Sequence, residues 1–211
     1  MNEDPGFKLK TYSFDRYDIK RLETTVMLPC WDTFNYKKNQ TGITLEIGSQ
    51  NLKDDPIMLP AHLRSYHFLL KEQDKIQANI LAALFAWYPS LREEFEGQDE
   101  AVMATVPPVQ DPGAFKNMIS LNAIHFHHVF KDDYAYTGYE FTCSWDEEHG
   151  LGVMMHNDRV VELGGADCSF LEWIAERDLD PEGVDAEIEA NRQQNTKPAD
   201  KQASHPWWKF W

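Results

Sequence analysis

"LNAIHFHHVFKDDYAYTGYEFTCSWDEEHGLGVMMHNDRVVEL", residues 121–163, decides the fold. It holds four runs rich in β-branched and aromatic residues, at 121–130, 134–144, 150–156 and 159–163. Short polar breaks separate them. Lys131-Asp132-Asp133 and His156-Asn157-Asp158 suit tight reversals, because Asp and Asn tolerate left-handed backbone. Strands joined by such short turns pair with their chain neighbours, which predicts an antiparallel meander. The break at Trp145–Gly150 reads as a third turn: Asp146 is placed to cap backbone N–H groups, and Gly150 or Gly152 to supply a positive φ. Trp145 and Val153 then face the core.

Upstream, "TGITLEIGSQN" (41–51) alternates Ile43, Leu45 and Ile47 against Thr44 and Glu46, the period of a half-buried strand. "TTVMLPCWDTF" (24–34) has strand composition, with Pro29 favouring an edge or bulge. Residues 1–24 read as irregular or an edge strand. Between these runs and the meander, Leu69, Ile76, Ile80, Leu84 and Trp87 fall on one face of a helix over 61–87. Pro60 precedes it and Pro89 is expected to stop it. Residues 91–96, before Gly97, suit a further short helix, and Asp111-Pro112 a helical turn to Met118. Downstream, Ser169 and Glu172 have capping-box spacing for a helix over 169–177. Residues 185–194 suit a polar helix. The expected fold is α+β: a mainly antiparallel sheet packed against one long helix, with C-terminal helices, over residues 1–194. A polar linker and an aromatic tail, 195–211, follow.

The net charge is −15, and its placement is uneven. Between Asp132 and Glu189, seventeen carboxylates face only Arg159 and Arg177, so that segment alone carries −15 and the rest is close to neutral. Such a field repels nucleic acid and anionic membranes and draws in a basic partner. The N-terminus lacks the apolar stretch of a secretory signal. Cys30, Cys143 and Cys168 are odd in number and widely spaced, which suits reduced thiols in a cytoplasm.

Three constellations could carry chemistry. Asp146, Glu147, Glu148 and His149 are four titratable groups in a row, but adjacent side chains do not converge on one substrate. His125 and His127 share a strand face and could bind zinc with His149, Asp146 or Glu148. Cys143 or Cys168 with His149 lacks an orienting third residue, and Cys143 fits a small apolar strand position. Nucleotide-loop, nucleophile-elbow and zinc-protease motifs are absent from the sequence.

Residues 138–175 resemble the C-terminal part of a family of small bacterial domains that share a W-D-x-E-H-G-x-G-V block. Trp145, Asp146, Glu148, His149, Gly150, Gly152 and Val153 match it, and Arg159-Val160 with Gly164 match its following R-V-x-x-x-G step. Residues 66–88 are similar to that family's central helix, so the likeness covers about 20–178. The resemblance brings no catalytic residues. It implies an acidic immunity protein of a polymorphic toxin system, of the Rhs or type VI secretion kind, made beside a toxin and neutralising it by binding.

The reading is thus a cytoplasmic, non-enzymatic protein with no cofactor or metal, whose partner is a basic toxin domain rather than nucleic acid or membrane. Asp132, Asp133, Asp146, Glu147, Glu148 and His149 are the expected contact residues. Trp207 and Trp208 in the tail are the second choice, since aromatic anchors dominate interface energy. Two rivals remain open: a metal-dependent hydrolase around His125, His127 and His149, and an adaptor without a toxin partner.

Overall fold

In the computed structural model, residues 5–14, 17–37, 42–48 and 54–183 are described. They form one seven-stranded sheet whose spatial order follows the chain. Strands β1 (Lys8–Phe14), β2 (Tyr17–Val26) and β3 (Ile43–Gly48) pair antiparallel. Helix α1 (Pro60–Glu94) and the short α2 (Glu100–Met103) follow. The chain returns as β4 (Ile119–Lys131), which lies parallel to β3, with Leu45 opposite Ile124. A parallel neighbour needs a long crossover, and the segment carrying α1 supplies it. β5 (Tyr134–Cys143), β6 (Leu151–His156) and β7 (Arg159–Gly164) then run as the expected antiparallel meander. A 3-10 turn at Ala166–Ser169 leads into α3 (Glu172–Leu179). The α+β architecture read from the sequence is therefore the one found.

One sheet face is apolar and lies under α1. Leu69, Ile76, Ile80 and Leu84 are buried against Leu45, Ile47, Ile124, Phe126, Tyr139, Phe141 and Val153. Burying each such side chain contributes roughly 1.5–3 kcal/mol, which makes this the main stabilising contact of the molecule. Val153 is in it as expected, and Trp145 packs at its margin against Tyr88.

Four local expectations are corrected. Residues 24–34 are not one strand: β2 ends at Val26 and Pro29–Trp31 makes a 3-10 turn. Pro29 has no N–H for a ladder, and the turn drives Trp31 into the core against Phe34 and Phe141. Residues 8–26 supply two full strands, where at most one edge strand was expected. Pro89 does not stop α1, which runs on to Glu94. Pro89 and the residue whose carbonyl it leaves unpaired, Phe85, are both exposed, so water can satisfy that carbonyl. The capping box at Ser169 is not formed either. Ser169 Oγ donates to Ala166 O within the 3-10 turn, α3 begins at Glu172, and the Glu172 carboxylate turns to β4 instead.

Candidate functional site

The second face of the sheet is built differently. Its β4–β7 half is closed by residues 166–175. Gly138 and Gly152 admit that cover: a Cβ at Gly138 would overlap the Ser169 carbonyl, and one at Gly152 would sit 2.5 Å from Gly165 O. Tyr136, Met154, Cys168, Ile174 and Ala175 fill the small core beneath it.

β4 fastens this cover through its own irregularity. Its pairing with β5 slips between Phe126 and Phe130, a bulge that frees backbone groups of His127 and His128. Side chains from elsewhere take them up. His128 N–H donates to Glu172 Oε1 (3.0 Å), and His62 Nε2 of α1 donates to His127 O (3.0 Å). His62 Nδ1 accepts from Leu59 N–H, which fixes that tautomer, and burial pushes its pKa down to about 4. The ring of His127 donates from Nε2 to Ser169 O (2.9 Å), and that of His128 from Nε2 to Gly48 O (2.9 Å). The His127 ring, the His128 N–H and nearby positive charge hold the Glu172 carboxyl at about 2, although its burial opposes this.

Among the described residues, no helix packs over the β1–β4 half of the same face. There a row of alternating charge crosses five strands: Lys10, Glu23, Arg21, Glu46, His125, Glu140. Lys10 Nζ lies 2.7 Å from Glu23, which also accepts from Tyr12. Arg21 pairs with Glu46. His125 donates from Nδ1 to Glu46 (2.7 Å) and from Nε2 to Glu140 (2.9 Å). Both ring nitrogens carry protons in that arrangement, so His125 is an imidazolium. Burial works against its charge, but the two carboxylates outweigh burial and raise its pKa to about 9. Burial likewise opposes ionisation of Glu46, yet His125 and Arg21 hold its pKa below the usual carboxylate value.

Beside this row lies a groove of about 560 Å³. Its lining includes Lys20, Arg21, Glu46, His125, Glu140 and Glu172, together with Phe170. Phe170 is 49% exposed, and its ring meets the His125 ring at 6.1 Å, edge to face.

The expected contact residues fall in two places. Asp132 and Asp133 form the β4–β5 turn, both at positive φ, and Asp133 pairs with Arg64. Asp146–His149 lie beyond the other end of β5, about 30 Å away along a ten-residue strand. They do not make one patch. Asp146 accepts from His149 N–H (2.9 Å) and faces the His149 ring, as a turn cap does. Glu147 pairs with Lys37 (2.6 Å) and Tyr36, and Glu148 is exposed. The two glycines of this loop have separate reasons: Gly150 supplies the positive φ, and Gly152 the clearance for residues 165–169. Trp207 and Trp208, with the 185–194 helix and the tail, lie outside the described residues. His125 and His127 share a face as expected, but His149 is not brought to them. Among the described residues, no group of three or more metal-ligating side chains assembles. The three cysteines are free, and burial pushes the Cys143 thiol up to about 12.

Sequence reasoning missed Arg21, Glu46, Glu140 and the groove. One signal was there. Glu140 is the only charged residue within β5, and Glu46 the only one within β3. A charge inside a central strand needs a partner.

A family model described as a domain of unknown function (DUF6985) matches residues 18–171. The chain belongs to this family. No curated protein and no solved structure matches it. The DUF6985 match includes Arg21, Glu46, His125, Glu140 and Phe170, together with the 144–150 loop. β1 and α3 lie outside it. Apart from Lys10 and Glu172, the charged residues of the row and of the groove lining therefore lie within the family domain. No helix among the described residues is long and apolar enough to cross a membrane.

Proposed function

We propose that this DUF6985 protein is a non-catalytic binding protein that neutralises a cognate toxin domain in the cytoplasm, covering a basic site on the toxin with carboxylates. The resemblance to immunity proteins motivates the reading. The observation that carries it is how the histidines are used. His62, His127 and His128 hold backbone groups of the sheet, and His125 has both nitrogens engaged by carboxylates. A general base needs a free lone pair; His125 presents none, and His149, exposed against Asp146, is not among the residues that line the groove. What faces solvent instead is carboxylate: Asp132 at one end of β5, Glu148 at the other, and Glu140 and Glu172 at the groove between.

The structure also sharpens the charge argument. Several carboxylates of the acidic segment have internal partners: Asp158 pairs with Lys75, Glu162 with Arg177, and Asp178 with Arg159. The field that steers a basic partner therefore comes from fewer groups than the sequence count implies, and their positions matter more than the total.

Co-expression with the product of the neighbouring gene tests the reading. The expected outcome is a stable complex and rescue of growth. Neither a complex nor rescue would sink it.

A further inference from the structure

α1 begins on a histidine cap. Its N-cap residue, Leu59, has no polar side chain, and Pro60 follows as the first helical residue. Capping falls to His62, three residues on, whose Nδ1 accepts from the Leu59 N–H (3.0 Å). A capping box carries Glu or Gln at that place, with a side-chain oxygen accepting the same N–H. A Gln amide there accepts at any pH. An imidazole accepts only while Nδ1 is bare. The other nitrogen is committed, because His62 Nε2 donates to His127 O (3.0 Å). The neutral ring protonated at Nε2 is thus the one state that satisfies both bonds. A second proton would set Nδ1–H against the Leu59 N–H, donor to donor. The ring has no water to turn to, since His62 is fully buried.

We infer that His62 is a proton-operated catch, and that protonating it frees residues 54–59, the segment that feeds α1, from the start of the helix. The surroundings set its sense. From β4 the His128 ring lies 4.8 Å away, edge to face, and charge on it or on His127 opposes charge on His62. Phe126 and Phe130 complete the ring's contacts and offer no counter-charge. From α3, Glu172 favours the imidazolium, but its carboxylate is engaged by the His128 N–H. Burial holds the folded ring's pKa down to about 4; His128 and His127 add to this, and the His127 carbonyl and Glu172 oppose it. That value lies below the unfolded one near 6.5, so the cap is at full strength above about pH 6.5 and is lost as pH falls through about 4. The part released is short. Ser65, one turn further on, keeps its own tie to the sheet, its Oγ accepting from Ala135 N–H (2.8 Å), and neither group titrates in this range. On the other side, residues 54–59 form no helix or strand, and Asp55 among them holds Lys20 at the groove. The catch therefore acts on the strip of chain between the groove and α1, whether or not the protein neutralises a toxin.

The test follows the ¹⁵N-labelled full chain by NMR from about pH 7.5 to about pH 3.5. Side-chain nitrogen spectra read the His62 tautomer and its titration. Hydrogen exchange reads the Leu59 amide, corrected for the intrinsic rate at each pH. The expected result is an Nε2–H tautomer at neutral pH and a fall of about tenfold in Leu59 protection across the His62 titration. The Ala135 amide, held by Ser65, should keep its protection over the same range. His62→Gln supplies an acceptor and a donor in a side chain that does not titrate, so it should keep Leu59 protected at the acid end. The wild-type comparison of Leu59 with Ala135 needs no variant. An Nδ1–H tautomer, unbroken Leu59 protection through the titration, or equal losses at Leu59 and Ala135 would overturn the proposal. So would a His62→Gln chain that loses Leu59 protection at the same pH as the wild type.

Discussion

The two halves of the sheet's second face solve one problem in opposite ways. On β4–β7 the face is closed by backbone, and the sheet gives up side chains, Gly138 and Gly152, to let the cover come close. On β1–β4 no described element forms a cover, and the sheet places charges there and satisfies them sideways, strand to strand. The closed half is held by shape, the open half by electrostatics. Shape complementarity tolerates no added atom. A paired charge row tolerates change at its exposed end and resists it at its buried middle.

That contrast orders the expected effects. The largest should come from Gly138→Ala, whose methyl would strike the Ser169 carbonyl, a backbone group with little freedom to move. A loss of about 3 kcal/mol or more in urea unfolding is expected; a loss below about 1 kcal/mol would break the comparison at its tight end. Next comes His125→Ala, which leaves the buried Glu46 facing Arg21 alone. About 2–4 kcal/mol is expected, with Lys10→Ala, which leaves the buried Glu23 its hydrogen bond from Tyr12, costing less.

The third effect is a pH dependence. His125 has a raised pKa in the folded state, so its contribution is full below its unfolded value near 6.5 and is lost as pH rises through about 9. Thermal melts should show stability falling between about pH 6.5 and 9, with His125→Asn flattening that slope. On the acid side the sign reverses. Glu172 and Asp178, each lowered to about 2, stabilise above their unfolded values and lose that contribution as pH falls toward 2. The smallest effect on stability belongs to Glu147→Ala and Glu148→Ala, both at an exposed loop. Melting temperature should stay put while affinity for a co-purified partner falls; unchanged affinity would return this loop to the role of a turn alone.

The sequence made the first face legible and the second almost invisible. Leu69, Ile76, Ile80 and Leu84 repeat at helical spacing, and Ile43, Leu45 and Ile47 alternate, so the apolar face announces itself within short windows. The Asp132-Asp133 turn was readable for the same local reason. The parallel pairing of β3 with β4 leaves no local trace, because its partners are joined through a whole helix. The same holds for the site. Glu46 and His125 are 79 residues apart, and only the sheet brings them together. Pro89 misled because a helix stop depends on which face the proline occupies. Ser169 misled because Glu172 had a better donor to meet, the His128 N–H freed by the bulge.

Residues 166–179 follow all seven of the described strands. During synthesis the seven strands leave the ribosome before the segment that closes β4–β7. Until then Tyr136 and Met154 stand bare, and the bulge at His127 and His128 lacks Glu172 and the His127 ring lacks the Ser169 carbonyl. The closure of β4–β7 thus waits on the last described segment of the chain. That segment ends the exposure of β4–β7, and among the described residues no element does the same for β1–β4.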